Sequence, residues 1–219
     1  MSVELDTIGR EGMKYFGRTS AAISHELKNA LAIIRENAGL MNDYLAMAEK
    51  GIPLDPEKFK MLTGRIEGQT QRADTLIKNM NRFAHSVDDP VRTINLNETA
   101  ELLAALSHRE AAMRQVTLNV APNEAPAEIS TSPYLLLTLL GQCLTFALQT
   151  IGAGKNLTLR VIGSDKGKGI RFEQLEDLSA LPPDRFPDIQ SSALFNALGA
   201  VCDADSVSGN LMITIQPMQ

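Results

Sequence analysis

Two apolar runs in heptad spacing, divided by one breaker-rich turn, constrain this chain more than any other feature. In the first run Leu27, Leu31, Ile34, Ala38, Met41, Leu45 and Ala48 recur at alternating steps of four and three. That is the seam of a long helix packed lengthwise against another. No proline interrupts residues 7–50. Gly51-Ile52-Pro53-Leu54-Asp55-Pro56 then breaks the pattern. Asp55 is placed to cap a new helix, with Pro56 at its first position. The seam resumes at Phe59, Leu62, Ile66, Gln69, Ala73, Leu76, Met80, Phe83 and Val87. Two such helices, about 45–60 Å long at 1.5 Å per residue, cover each other's seams on one side only. Pairing two hairpins covers the rest, so the spacing predicts a homodimer built as a four-helix bundle.

The pattern changes at Asp88-Asp89-Pro90, which suits a helix end and a turn. Residues 92–97 read as a short strand. Asn97 and Glu98 open a helix through about 115, and 116–120 read as a strand. Ser132-Pro133 starts an apolar helix through about 150. Residues 157–163 and 170–174 read as paired strands around a Gly-rich turn. The breaker-rich stretch 181–187 leads to a helix over 191–201, and 211–216 reads as a last strand. The expected fold class is α+β: a helical hairpin over 1–88, followed by an α/β sandwich over 89–219 with helices on one face of a mixed sheet.

Charge narrows the partners. The net charge is −5, and because the first 88 residues balance, the second half carries all of it. Nucleic-acid binding needs a basic surface, and base stacking needs aromatics, which make up 5% of this chain with no Trp. Cys143 and Cys202 have no metal-ligand spacing and read as buried thiols of a reducing compartment. No run approaches the roughly 20 apolar residues of a membrane span, and the charged N-terminus lacks a signal core. The expected location is the cytoplasm, away from membrane and nucleic acid.

One residue on the hairpin carries chemistry. On a helical wheel at about 100° per residue, His25 lies opposite the seam and points to water. Around it on that face lie Arg18, Ala21, Ala22, Lys28, Asn29, Ala32 and Glu36. The alanines leave room for another protein surface to approach the ring. A neutral imidazole is nucleophilic and can hold a phosphoryl group through an N–P bond. Glu26 could orient the ring or accept its proton, and Asn29, one turn on, could position a water or a phosphoryl oxygen. His85 and His108 lack such surroundings and read as solvated surface residues.

Ser24-His25-Glu26-Leu27-Lys28-Asn29-Ala30-Leu31 resembles the phosphoacceptor box of sensor histidine kinases, H-E-(L/I)-(K/R)-(T/N)-P-L, on the first helix of that family's dimeric bundle. The resemblance implies that His25 is the phosphorylated residue and Glu26 the assisting acid. It puts Asn29 at the position that supports phosphatase activity toward a response regulator. Ala30 stands where the family usually has Pro.

The second half resembles the ATP-binding domain that follows the hairpin in that family, without its chemistry. Gln142 and Phe146 stand where the family has a pair of Asn, and Phe cannot offer the oxygen donors Mg²⁺ requires. Asp165-Lys166-Gly167-Lys168-Gly169 matches D-x-G-x-G but comes too soon after Phe146, so its Asp and Gly read as turn residues. Ser191-Ser192-Ala193-Leu194-Phe195-Asn196 occupies the place of the Gly-rich lid. No cofactor is therefore expected on this chain; the partner, a response-regulator receiver domain, would supply Mg²⁺. The reading that follows is a histidine phosphotransferase exchanging phosphoryl groups between receiver aspartates through His25 without ATP. The alternatives are a pseudokinase scaffold or response-regulator phosphatase, and a divergent ATP-dependent kinase.

Overall fold

The computed structural model describes residues 2–123, 127–164, 167–175, 189–205 and 207–215. The chain forms two compact units, Ser20–Asn81 and Met1–Thr19 with Arg82–Gln219. Helix α1 (Ser2–Glu49) contributes to both.

The first unit is the hairpin of α1 and α2 (Pro56–Ala84). Its turn is built as the sequence dictates. The Asp55 carboxylate accepts the Glu57 N–H at 3.0 Å, Pro56 opens α2, and Gly51 takes φ of 86°, which a side chain would disfavour. Tyr44 packs against Phe59 near this end, with ring centroids 6.2 Å apart. The buried line between the helices runs through Ile23, Glu26, Ala30, Asn37 and Leu62. It is rotated from the heptad seam, which the sequence places wholly in the core. Leu27, Ile34 and Met41 are half-buried, whereas Ala38 is exposed and Leu31 and Leu45 are 59% and 47% exposed. A single hairpin has one neighbour per helix, so a stripe this wide cannot be covered from one side.

The second unit is a mixed sheet covered by helices. It comprises β1 (Arg92–Asn95), α3 (Leu96–Met113), β2 (Thr117–Val120), β3 (Glu128–Thr131), α4 (Pro133–Thr150), β4 (Asn156–Ser164), β5 (Gly167–Glu173), α5 (Ile189–Leu198), β6 (Ala200–Asp205) and β7 (Asn210–Ile215). The main sheet has order β2-β4-β5-β7-β6, with β2 and β4 parallel and the other neighbours antiparallel; β1 pairs with β3 separately. Leu157, Leu159, Val161, Ile170, Phe172, Leu211, Ile213 and Ile215 alternate onto one buried face. The other face carries polar pairs such as Arg160–Glu173 at 2.7 Å.

Several expectations shift. Asn95, not Asn97, caps α3, accepting the Asn97 N–H at 2.8 Å. The strand β3 has no signal in its polar surroundings. The helix expected over 191–201 ends at Leu198, where Gly199 turns the chain at φ of 57° into β6. Strand β6 is an acidic, mostly exposed edge, so its sequence lacks the apolar alternation that marks a strand. Asp165 and Lys166 and the stretch 181–187 lie outside the described residues. Gly167 and Gly169 belong to strand β5: Gly167 adopts φ of 134°, and a Cβ on Gly169 would collide with the Ile213 carbonyl. Both glycines thus serve backbone geometry.

Helix α4 receives the start of α1. Glu11, Gly12, Tyr15 and Thr19 are buried at helical spacing, and the Tyr134 hydroxyl donates to the Gly12 carbonyl at 2.5 Å. The Tyr15 ring sits edge-on to Phe83, centroids 5.5 Å apart, and lies so close over Gly141 that a Cβ there would overlap it. Gly141→Ala should therefore lower folding stability by about 1–3 kcal/mol, the usual cost of overpacking. Gly64→Ala, on a helix surface open around the Cα, should raise it by up to about 1 kcal/mol. Denaturant melts check both; equal effects at the two sites would contradict this packing.

Candidate functional site

His25 lies in mid-helix on the exposed face of α1, as the wheel places it, with Ser24, Lys28, Asn29, Ala32 and Glu36 also exposed and Ala22 half-buried. Asn29 is the ring's side-chain neighbour: its Nδ2 lies 3.3 Å from His25 Nδ1. That contact is one helical turn long, the spacing at which helix side chains meet. It engages Nδ1.

Glu26 behaves differently from the rest of the predicted set. It is 8% exposed, turned into the hairpin, and its Oε2 accepts from Arg72 Nη2 at 3.1 Å. One residue of helix rotates a side chain by about 100°, enough to carry it from the exposed face to the flank facing α2. Arg72 is the residue that sequence reasoning missed here. Its signal was a basic residue in α2 at the level where the antiparallel helix presents Glu26. Arg18, by contrast, belongs to the other unit, its guanidinium 5.9 Å from the centre of the Tyr15 ring.

His85 and His108 are exposed; His85 Nδ1 contacts the Asp88 carboxylate at 2.7 Å, a local surface pair.

On α4, Gln142 Nε2 donates to Glu11 Oε2 at 3.2 Å, and Lys14 holds the other oxygen at 2.7 Å. The Gln142 Oε1 is buried without a hydrogen-bond partner. Phe146 brings no oxygen. A carboxylate beside Gln142 adds negative charge where a triphosphate would need donors. The described residues therefore do not fit Mg-ATP at this position. Among them no group of three or more His, Cys, Asp or Glu could hold a metal ion, and no helix is long and apolar enough to cross a membrane.

Comparisons agree with this geometry. Residues 17–86 match the His Kinase A (phospho-acceptor) domain family, so the hairpin is similar to that domain. The sensor protein CreC of Escherichia coli (strain K12) is 28% identical over 174 residues, covering 73% of this chain. This chain spans about a third (34%) of that protein's length. The histidine kinase AdeS of Acinetobacter baumannii shares the fold at 13% identity and a TM-score of 0.50, covering 89% of this chain and 98% of that one. A bacterial phosphotransferase is similar at 14% identity over 92% of this chain and 95% of its own, with a TM-score of 0.47, too distant to carry an argument. The chain is sensor histidine kinase-like: a helical N-terminal part is followed by a mixed α/β sheet domain resembling histidine kinase catalytic domains.

The cysteines stay outside this chemistry. Both are thiols. Burial pushes the Cys143 thiol well up, and burial with nearby Asp203 pushes Cys202 up to about 12. Since the thiolate is the reactive form, iodoacetamide at pH 7.5 should modify neither cysteine in the folded protein and both after denaturation. Rapid native alkylation, read by intact mass, would contradict this burial.

Proposed function

We propose that this protein is a histidine phosphotransferase of two-component signalling, exchanging phosphoryl groups between response-regulator aspartates through His25. The observation that carries the reading is the pairing of an exposed His25, on a matched phosphoacceptor hairpin, with a Gln142 already engaged by the Glu11 carboxylate. One half keeps a nucleophile; the other lacks, at Gln142 and Phe146, the donors for a triphosphate.

In the step proposed, the Nε2 lone pair attacks the phosphorus of a receiver's aspartyl phosphate. The N–P bond forms as the acyl P–O bond breaks, and the aspartate leaves as a carboxylate. The charge that develops on the ring is shared with Nδ1–H, where an oxygen acceptor stabilises it. Asn29, whose Nδ2 lies 3.3 Å from Nδ1, fills that role once its amide flips to present Oδ1. The reverse step returns the phosphoryl group to a second receiver. The receiver brings its own Mg²⁺, so no cofactor resides on this chain. The small residues Ala21, Ala22 and Ala32 let the receiver approach, and Lys28 and Glu36 offer charged contacts at the rim.

The same reading includes a homodimer. Leu31, Ala38 and Leu45 form an exposed apolar line on α1, and a second hairpin laid along it would complete a four-helix bundle. Cytoplasmic residence follows from receiver partners.

A phosphatase reading has its own support in Asn29, poised beside the ring. Incubation with a panel of phosphorylated receivers separates the two. A phosphotransferase acquires acid-labile label, which His25→Ala abolishes. Loss of receiver phosphate with no label on this chain, abolished by Asn29→Ala, would make it a phosphatase instead.

A further inference from the structure

A strand at the edge of a sheet turns half of its backbone N–H and C=O groups away from its neighbour, and proteins blunt such edges with short strands, Pro, bulges or charge. The main sheet ends in β2 on one side and in β6 on the other. Strand β2 is short, at four residues. Strand β6 runs for six, and it pairs with β7 in unbroken register from Ala200–Ile215 to Asp205–Asn210. It contains no Pro. Among the described residues β7 is its one strand neighbour. This is an ordinary strand length, so the open side is long and regular enough to take another strand. Side chains alternate along it. Ala200 and Cys202 are half-buried beside Ile215 and Ile213 on the covered face. Val201, Asp203 and Asp205 are exposed on the other face, Val201 by 55%. Val207, in the turn that follows, is 98% exposed.

We propose that the open edge of β6 is a docking site for an extended basic segment of a partner protein, which adds to the sheet as a further strand and sets Lys or Arg side chains against Asp203 and Asp205. Strand addition takes affinity from main-chain hydrogen bonds and specificity from alternate side chains. The exposed alternation here reads Val, Asp, Asp. The matching segment therefore alternates too, apolar opposite Val201 and cationic opposite the two carboxylates. Asp205 is a fixed anion. Its carboxylate accepts from Ser208 Oγ at 2.6 Å and from the Val207 N–H at 3.0 Å, and the Ser208 hydrogen bonds hold its carboxyl below the usual range. Asp203 lies mid-strand with the uncharged Met212 opposite it on β7. The same charges decide against a second copy of this chain as the occupant. Two β6 edges laid together would bring their acidic pairs together, and like charges across strands are unfavourable.

This inference does not depend on the role of His25, so its test stands apart from the labelling assay. The probe is a capped peptide of about six residues, one strand length, alternating Val and Lys. Two controls have the same length: one alternates Val and Glu, and one is the Val/Lys peptide with alternate amides N-methylated. Each is titrated into the full chain, and backbone ¹⁵N–¹H shifts and amide exchange are followed. The Val/Lys peptide should shift the amides of residues 200–205 and slow their exchange, with an affinity that falls as salt is added. The N-methylated peptide, which cannot complete the ladder, should bind at least about tenfold more weakly. Asp203→Lys turns an attraction into a repulsion and should weaken the Val/Lys peptide by about tenfold while admitting the Val/Glu peptide. Asp203→Asn should fall between wild type and Asp203→Lys. Asp203 is exposed, and circular dichroism verifies that both variants fold. Failure of the Val/Lys peptide to shift β6, equal binding of both peptide charges, or undiminished binding of the N-methylated peptide overturns the proposal. The two aspartates would then serve only to keep the edge from pairing.

Discussion

The lengthwise packing of α1 against α2 is the constraint on which the rest depends. Burial of Ile23, Ala30 and Leu62 removes apolar surface from water, worth about 25 cal/mol per Å², and fixes the rotation of α1 about its axis. That rotation turns His25 outward. It also turns Glu26 inward, where a cation from the opposing helix helps make an ionised carboxylate tolerable. Arg72 supplies it. The outward ring and the buried ion pair are two consequences of one helix orientation.

The opening turns of α1 serve the other unit. Glu11, Gly12 and Tyr15 pack on α4, and the missing side chain at Gly141 lets the Tyr15 ring lie against the helix backbone. The bond from Gln142 to Glu11 is part of this packing. The hairpin leaves the His25 ring exposed among small residues.

Much of this was legible before the structure. Heptad spacing marks both long helices, Asp55-Pro56 marks where the second begins, and the wheel places His25 on the outer face. Alternating apolar residues mark β4, β5 and β7. What escaped has physical reasons. The seam rotation escaped because spacing gives a stripe and leaves open which flank meets the near neighbour. Strands β3 and β6 escaped because a short pairing strand and an exposed edge lack apolar alternation. The Glu11–Gln142 and Tyr15–Gly141 contacts join residues far apart in sequence, although a glycine inside an apolar helix such as Gly141 is itself a mark of close approach. The Glu26–Arg72 pair likewise joins residues far apart in sequence.

The account's central claim is that the reactive imidazole draws its phosphoryl group from another protein's aspartate. The most direct measurement offers both sources at once: Mg-ATP carrying one phosphorus isotope and a phosphorylated receiver carrying another. The account predicts that only the receiver's isotope reaches this chain, and that peptide mapping finds it on His25. Label arriving from ATP, or label lodged on any other residue, would contradict it.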